Sequence, residues 1–375
     1  WIKFNTLYHL IFIVKIKKNI MNVCIVGNGL VSLTLAKALV NQGIYVDIFS
    51  NLKSNKIDKS RTIGISKDNS DFFNKNILDI RKLLWKIDKI EIYSDNKKNE
   101  KILNFENDNE KLFSIIKNYE LYNHLILELK KNSFFKQKKN NKMILAETYD
   151  LILNCDIDSF FTKKYFYKKI DKSYNSYAHT TIIEHEKLSN NNTAIQIFTK
   201  KGPLAFLPIS DRKTSVVYSV RGSKNIDLEK IIKKYNNKYS TIKINQISSF
   251  VLKSSNLRKY YFQNILAFGD LLHKLHPLAG QGFNMSIRDI KVLLDLIRFK
   301  LDHGLGLDNS ICIDFEKKIK HKNFLFSNGI DLVYEFFNLE SKIDNSILSN
   351  SVKFLGKNKY MNRFFTKIAD RGLVI

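Results

Sequence analysis

The stretch VCIVGNGLVS, residues 23–32, places a glycine-rich turn directly after a short run of apolar residues. Val23 to Val26 is typical of a short buried strand, and the apolar spacing from Leu30 to Asn41 favours a helix. Tyr45 to Phe49 predicts a second strand. A strand, a helix and a strand in this order predict a βαβ unit, the opening of an α/β domain.

The glycines of this turn stand where a Rossmann-type domain brings its backbone close to a pyrophosphate at a helix N-terminus. Gly27 permits the tight turn, Gly29 leaves out a side chain that would block the phosphate, and small Ser32 allows close packing of helix and strand. An ordinary strand-to-helix turn is the alternative. Ser50 ends the second strand, where an acidic residue normally holds the adenosine ribose, and Asp47 lies inside that strand. We therefore expect the ribose to be bound more weakly or in a different arrangement.

The middle of the chain changes from mixed to strand-rich patterns. The pattern from Arg61 to Trp85 is largely helical and polar, Leu112 to Leu129 contains another helix, and Leu151 to Asn154 predicts a buried strand. Short alternating runs separated by turn residues then predict an antiparallel meander, and hence a second domain. Its strands are Thr180 to Glu184, Ala194 to Thr199, Leu204 to Pro208 and Ser215 to Val220.

The last third of the chain returns to a buried strand followed by helices. The strand is Ile265 to Phe268, and a long amphipathic helix runs from Phe283 to about Leu301. Two further helical stretches are predicted, one near 315–337 and one after Ser346. The segment between Lys130 and Tyr149 is short, polar and rich in lysine.

The densest group of chemically informative residues follows the strand at Ile265 to Phe268. Gly269-Asp270 ends this strand, and the Asp270 carboxylate is suited to bind ribitol hydroxyls. Pro277 fixes the loop that follows, while Gly280 and Gly282 let backbone amides approach a flat ring. A helix that starts at these glycines favours a negatively charged reduced flavin at its N-terminus. His273 and His276 suggest a metal as an alternative, but no convincing third ligand is near in the sequence, so no metal is expected.

The stretch from Gly269-Asp270 to Asn284 resembles the FAD-binding motif of the para-hydroxybenzoate hydroxylase superfamily, in its ubiquinone-biosynthesis branch. Arg61 to Ser66 is similar to the family's arginine-containing segment, and Phe198 to Pro208 is similar to a segment distinctive of that branch. The resemblance runs from about Met21 to the C-terminal helices. It implies that Arg61, Gln281 and Asn284 contact FAD with the glycines and Asp270, and that Phe206 and Pro208 contact the substrate.

This resemblance implies a Rossmann-type FAD-binding domain with an inserted antiparallel β-sheet substrate domain and C-terminal helices. The FAD-binding domain is expected at 21–85, 110–165 and 255–335, and the substrate domain at 86–109 and 166–254. A C-terminal helical tail is expected at 336–375, and 1–20 is interpreted as a non-native extension, with Met21 as the start.

The implied activity is a monooxygenase reaction in ubiquinone biosynthesis. The enzyme would use NAD(P)H and dioxygen to hydroxylate the ring of a prenylated phenol, with the flavin supplying the chemistry. No catalytic side chain is assigned. In the family an Asp-Gly pair follows the third buried strand, whereas here Asp156 is followed by Ile157, which does not readily take a positive φ. We therefore expect this loop to be shaped differently, with consequences for cofactor affinity and for use of the reductant.

Two alternatives from other classes remain open. One is a catalytically degenerate flavin-binding scaffold of a quinone-biosynthesis complex, which the changes at Ser50 and Ile157 would favour. The other is a different flavin reaction on the same fold, such as reduction of a prenyl chain or halogenation.

Charge and cysteine content limit the remaining classes. Lysine plus arginine number 62 against 36 acidic residues, a net charge of +26, but the lysines are scattered and no nucleic-acid motif accompanies them. No nucleic-acid partner is expected. Cys24, Cys155 and Cys312 lie far apart, so neither a disulfide framework nor a zinc site is indicated. We expect a cytoplasmic protein that contacts the inner face of a membrane peripherally, without a transmembrane span, and that works beside other ubiquinone-biosynthesis enzymes.

Overall fold

The computed structural model describes residues 21–50, 58–95, 100–106, 113–139, 148–222, 224–275 and 280–343. The strands are β1 (Asn22–Val26), β2 (Tyr45–Ser50), β3 (Thr62–Ser66), β4 (Trp85–Ile87), β5 (Lys89–Ser94), β6 (Glu100–Glu106), β7 (Phe113–Lys117), β8 (Phe135–Lys139), β9 (Leu151–Asn154), β10 (Lys169–His185), β11 (Thr193–Thr199), β12 (Gly202–Pro208), β13 (Lys213–Arg221), β14 (Thr241–Ile244), β15 (Ser248–Leu257), β16 (Tyr261–Phe262), β17 (Ile265–Ala267) and β18 (His273–Lys274). The α-helices are α1 (Leu30–Val40), α2 (Lys67–Asn76), α3 (Asn118–Lys130), α4 (Phe160–Tyr165), α5 (Leu228–Tyr235), α6 (Gln281–Asp302) and α7 (Asn309–Ile343).

A six-stranded sheet contains the predicted βαβ unit. Its strand order is β16-β17-β9-β1-β2-β8, and every neighbouring pair is parallel except β16 with β17. The inner strands β1, β9 and β17 are almost wholly buried, as expected for short continuous apolar runs covered on both faces. The α/β class and the predicted strands of this sheet are confirmed.

Two segments differ from their predicted patterns. Within the stretch interpreted as largely helical, Thr62–Ser66 is a strand that pairs antiparallel with β7, and only α2 and one 3₁₀ turn are helical. Its β-branched residues, Thr62, Ile63 and Ile65, suit a sheet better than a helix. The lysine-rich segment after Lys130 contains β8, the edge strand beside β2. Lysine is common on sheet edges, where its charge discourages further pairing.

The second large sheet has the order β18-β15-β10-β13-β12-β11-β5-β6, with β14 paired to β10. The predicted strands are present, and β11, β12 and β13 form an antiparallel meander. However, β10 lies beside β13 rather than beside β11. This is the Greek-key arrangement, in which a long connection returns the chain to a distant neighbour. The predicted boundaries between the FAD-binding and substrate domains stay a prediction.

The main apolar core lies around the six-stranded sheet. It includes Ile25 of β1, Leu35 of α1, Leu125 of α3, Leu293 of α6 and Phe315 of α7, all buried. Helices α1, α3, α6 and α7 therefore pack around the parallel strands, which holds the carboxyl ends of β1, β9 and β17 in a fixed relation.

The nine-stranded sheet is buried on both faces near β12. One face packs against α5, through residues such as Phe206 and Ile232. The other face packs against β4 and β7, through residues such as Ile182 and Ile115. This second face is the one that meets the rest of the molecule near β3.

Helix α7 contains the first of the two predicted C-terminal helical stretches, and it begins earlier than predicted. The stretch after Ser346, the predicted tail beyond Ile343 and the extension 1–20 lie outside the described residues. Among the described helices, none combines the length and the apolar character that crossing a bilayer requires.

Candidate functional site

The first glycine turn connects β1 to α1 and also touches the loop after β9. Gly27 has a φ of +110°, and its N–H donates to the Phe49 carbonyl at 2.8 Å. A Cβ on Gly27 would lie 3.3 Å from Ser32 Oγ and 3.4 Å from Asp156 N, so this glycine is required by both conformation and space. A Cβ on Gly29 would meet nothing within 4 Å. The N-terminus of α1 is therefore open, as a pyrophosphate site requires.

The Gly269-Asp270 motif packs directly onto this turn. Gly269 has a φ of +64°, and a Cβ there would lie 3.1 Å from Val31 Cγ1 in the first turn of α1. The Asp270 side chain is exposed. Burial, together with the charges of Asp270 and Asp156, raises the pKa of the Cys155 thiol to about 12. These residues lie at the carboxyl ends of adjacent parallel strands, where ligands bind in open α/β sheets.

The loop that leads into α6 meets β3. Gly280 is the N-cap of α6 with a φ of +63°, and a Cβ on it would lie 3.3 Å from Gly64 N. A Cβ on Gly282 would meet nothing within 4 Å, and the first turn of α6 contains no acidic residue. The helix therefore presents open backbone amides and a favourable dipole for an anion. His276 and Pro277 lie outside the described residues.

The Asn284 side chain uses all of its hydrogen-bonding capacity within the protein. Its Oδ1 accepts from Ser66 N at 2.9 Å and from Asn69 Nδ2 at 3.0 Å. Its Nδ2 donates to Gly64 O at 2.8 Å and to Gly280 O at 3.3 Å. Because an amide offers two donors and two main acceptor positions, the side chain has none left for a ligand. Asn284 therefore joins α6 to β3 and α2, a role that the sequence did not indicate.

Two of the buried polar atoms for which the described residues supply no hydrogen-bond partner lie at the ends of elements that border the proposed cofactor site. They are Gln281 Oε1, at the start of α6, and Ser50 Oγ, at the end of β2. An unpaired buried polar atom costs about 1–3 kcal/mol, so each atom calls for a partner from water or a ligand. Together with the open positions at Gly29 and Gly282, they make the site fit a dinucleotide such as FAD.

Asp47 does not replace the missing acidic residue of the ribose site. Its Oδ2 lies 2.6 Å from Lys138 Nζ and accepts from the Tyr149 hydroxyl at 2.8 Å. The carboxylate therefore connects β2 to β8, as its place inside the strand predicted. Ser50 is the polar side chain at the end of β2.

Arg61 lies at the start of β3, beside the nine-stranded sheet. Its guanidinium carbon is 5.1 Å from the centroid of the Phe250 ring on β15. Burial raises the pKa of Asp58, but hydrogen bonds from Ser60 and Ser248 and the charge of Arg61 outweigh it, so this pKa is lowered. The structure thus places Arg61 where β3 meets the sheet, and its predicted contact with FAD stays a prediction.

The face of the nine-stranded sheet nearest β3 is identified by two hydrogen bonds. Ser60 Oγ and Thr180 Oγ1 lie 2.9 Å apart, and Thr62 Oγ1 donates to Ser215 Oγ at 2.9 Å. Leu207 is the register partner of Ser215 and therefore shares this face.

The two predicted substrate residues lie on the opposite face. Phe206 is paired with Val216 and is buried in the cluster against α5. Pro208 is paired with Thr214, whose hydroxyl contacts His185 Nε2 at 3.0 Å on that same side. The structure therefore brings Leu207, and neither Phe206 nor Pro208, to the face near β3. Side chains alternate along a strand, so a shift of one residue changes the face.

His273 lies within ion-pair distance of Asp289, a buried residue of α6. Its Nε2 lies 2.5 Å from Asp289 Oδ2, and Asp289 Oδ1 accepts from Asn323 Nδ2 at 3.0 Å. All three side chains are buried. In the described part of the chain, no three His, Cys, Asp or Glu residues are arranged to hold a metal ion. The sequence did not indicate the pairing of Asp289 with His273.

A family model described as "FAD binding domain" matches residues 224–301, which include β17 and α6. The chain is 28% identical over 152 residues to the 3-demethoxyubiquinol 3-hydroxylase of Escherichia coli, covering 38% of this chain and 39% of that one. It is 20% identical over 250 residues to the "Ubiquinone biosynthesis monooxygenase COQ6, mitochondrial" of Schizosaccharomyces pombe, covering 54% and 52%. The chain thus spans between about two-fifths and one half of the length of these relatives.

Solved structures with the same fold are aromatic monooxygenases and related flavoproteins. The p-nitrophenol 4-monooxygenase PnpA of Pseudomonas putida matches with a TM-score of 0.76 at 13% identity, covering 94% of this chain and 99% of that one. HpxO of Klebsiella pneumoniae, in complex with FAD and uric acid, matches with a TM-score of 0.73 at 12% identity, covering 94% and 97%. The predicted fold class is confirmed. The sequence matches show that the chain is similar to an FAD-binding domain and to enzymes named for ubiquinone hydroxylation and ubiquinone biosynthesis.

Proposed function

We propose, from this relationship, that the chain is an FAD-dependent monooxygenase that hydroxylates the aromatic ring of a prenylated phenol in ubiquinone biosynthesis, using NAD(P)H and dioxygen. The observation that carries the proposal is the meeting of three separate segments at one place. Gly269 lies against the first turn of α1, and Gly280 lies against Gly64 of β3. These close approaches between distant parts of the chain support a shared cofactor site, and the curated relatives are named as ubiquinone-biosynthesis enzymes.

Different residues of the site would bind different parts of the cofactor. The turn at Gly27 and Gly29 and the N-terminus of α1 would hold the pyrophosphate, and Asp270 would hold ribitol hydroxyls. The amides at 280–282 would face the flavin ring, with Gln281 Oε1 as an additional acceptor. When bound, reduced FAD supplies the electrons and, with dioxygen, the oxygen atom for hydroxylation.

The protein itself would position the ring, exclude water and stabilise charge. The N-terminus of α6, free of acidic residues in its first turn, favours negative charge at the flavin. The sheet face that carries Leu207 and Ser215 is proposed as the substrate wall, in place of Phe206 and Pro208. This face meets β3, which is joined to the flavin loop through Asn284.

The cellular setting is a further part of the proposal. A prenylated phenol has a long apolar tail, so the enzyme would work in the cytoplasm in peripheral contact with the inner face of a membrane. Other enzymes that act on the same tailed ring are the expected protein partners. The basic residues are scattered, and nucleic acid is not proposed as a partner.

The test of the proposed function is the visible spectrum of the purified chain, followed by anaerobic titration with NAD(P)H, with and without a prenylphenol. We expect flavin absorbance that bleaches faster when the phenol is present, and oxygen uptake coupled to a hydroxylated product. Bound flavin without phenol-stimulated bleaching would favour a non-catalytic scaffold instead. Turnover without oxygen uptake would favour a reductase.

The substitution Gly282→Ala should weaken FAD binding without destabilising the fold. Because the added methyl group meets no protein atom within 4 Å, the cofactor-free protein should be as stable as the wild type or more stable by up to about 1 kcal/mol. The methyl group would occupy space proposed for the flavin, so the Kd for FAD should rise at least about tenfold. Fluorescence quenching of added FAD and thermal melts of the cofactor-free protein measure the two effects.

Gly306→Ala is the matched control for this change. It also has open space at its Cβ, but it lies in the loop between α6 and α7. We expect it to leave FAD affinity within about twofold of the wild type. Equal affinities for the wild type and Gly282→Ala would contradict the placement of the flavin at 280–282.

A further inference from the structure

The short helix α4 exposes large apolar side chains beside the FAD-binding turn. Phe160, its first residue, is 66% exposed, and Ile157, in the loop just before it, is 53% exposed. Single exposed apolar residues are common on protein surfaces, but exposed apolar residues that lie close together mark a surface for interaction.

Lysines share the exposed side of α4 with Phe160. Lys163 and Lys164 lie three and four positions further along the helix, hence on the same side, and both are exposed. Lys164 Nζ lies 5.4 Å from the centroid of the Phe160 ring and 5.2 Å from that of Tyr165. The Lys164 ammonium group thus lies near both rings on this side of α4.

The opposite side of α4 holds these residues firmly in place. The Tyr165 ring stacks on Phe262 of the edge strand β16, with centroids 4.0 Å apart and planes 9° apart. Phe161 is buried beneath the helix, and the Ser159 hydroxyl accepts from Thr162 N at the helix start. The surface formed by Ile157, Phe160, Lys163 and Lys164, called the α4 surface below, is therefore preformed.

The composition of the surface indicates the kind of partner. From Ile157 to Ile170 the chain has four lysines and one aspartate, so the segment is strongly positive. Protein–protein interfaces are depleted in lysine at their centres. Aromatic rings that sit among lipid head groups, with lysines that reach anionic phosphates, are typical of membrane-surface proteins.

We propose that the α4 surface binds the surface of a membrane containing anionic phospholipid. Phe160 and Ile157 would enter the head-group region, and Lys163 and Lys164 would contact lipid phosphates. Because Ile157 follows Asp156, which packs against Gly27, the contact would hold the edge of the FAD site close to the lipid. The biological purpose of this membrane contact rests on the proposed function, since a lipid-tailed substrate must be taken from a membrane. The experiment that tests the contact does not depend on that function.

The test is flotation of the full chain with vesicles of phosphatidylcholine, with and without phosphatidylglycerol. The vesicles contain no substrate, and neither FAD nor NAD(P)H is needed, so the outcome is independent of any hydroxylase activity. We expect binding to the vesicles that contain phosphatidylglycerol and a decrease in binding as salt is added. Lys163→Gln with Lys164→Gln should lower the partition coefficient roughly thirtyfold. Ile157→Ser with Phe160→Ser should lower it roughly tenfold or more.

Matched controls carry the same changes at exposed residues elsewhere. Lys230→Gln with Lys233→Gln changes two exposed lysines of α5, and Ile242→Ser with Phe299→Ser changes two exposed apolar residues. Both should bind within about twofold of the wild type. Absence of binding, equal binding to both kinds of vesicle, or loss no greater in the α4 variants than in the controls would overturn the proposal. Since all changed residues are exposed, thermal melts should show that each variant is folded.

Discussion

Asn284→Asp is expected to release FAD and to destabilise the protein, although the two side chains have nearly the same shape. The amide donates to Gly64 O and Gly280 O, and an ionised carboxylate would place an acceptor against those carbonyls in a buried position. Leaving buried groups unpaired costs about 1–3 kcal/mol each, so the free energy of unfolding should fall by roughly 3 kcal/mol or more. Urea denaturation and the flavin content of the purified protein measure the two losses.

The effect of Asn284→Asp should also depend on pH in a known direction. Burial disfavours the charged form, so the pKa of the new carboxyl should be higher in the folded than in the unfolded protein. The folded protein then binds more protons in this range, and its stability relative to the wild type should increase as pH falls from about 8 to about 5. A protonated carboxyl regains one donor for a carbonyl, which is the physical reason for this recovery.

Asn132→Asp is the control for Asn284→Asp. Asn132 Oδ1 accepts from Phe134 N at 2.9 Å, and a carboxylate keeps that acceptor. We expect a change within about 0.5 kcal/mol and normal flavin content. If Asn284→Asp changed stability and flavin content as little as this control, the hydrogen bonds of the Asn284 amide would not be what holds the start of α6 against β3.

The sequence predicted which segments form strands better than it predicted on which face of a sheet each side chain lies. Strands such as Val23 to Val26 were predictable because a short, fully apolar run in a parallel sheet has few alternatives. Strand β12 was also predicted, but the choice of Phe206 over Leu207 was not decided by the pattern. Both faces of the sheet are buried near β12, so the alternation of polar and apolar residues that normally marks the inner face is missing.

The glycines of the site were predictable, whereas its polar connections were not. Gly27, Gly269 and Gly280 all adopt positive φ, which local sequence reasoning can anticipate. Three of the four partners of the Asn284 side chain, Gly64, Ser66 and Asn69, lie more than two hundred positions earlier in the chain. No local pattern encodes such a contact, because it depends on how β3 and α6 are brought together by the whole fold.

Asp289→Ala is expected to give the second large effect, a loss of about 3–5 kcal/mol in the free energy of unfolding. The change removes the partner of His273 Nε2 and of Asn323 Nδ2, and both of these side chains are buried. Removing one member of a buried pair leaves the other without compensation, which costs more than the pair itself contributes. Urea denaturation should show a lower midpoint with an unchanged m value.

The His273–Asp289 pair also connects the two ends of the loop that would carry the flavin. Loss of the pair should therefore lower FAD retention as well as the free energy of unfolding. His273 stands before the loop and Asp289 stands on α6 after it, so their contact fixes both ends of the segment between them. Asp289→Asn keeps an acceptor for His273, and we expect it to retain more FAD and more stability than Asp289→Ala. Asp295→Ala, at an exposed position of the same helix, should change stability by less than about 0.5 kcal/mol. A loss in Asp289→Ala as small as in Asp295→Ala would show that the buried pair does not hold the loop, and Asn284 would then be its main connection to the rest of the fold.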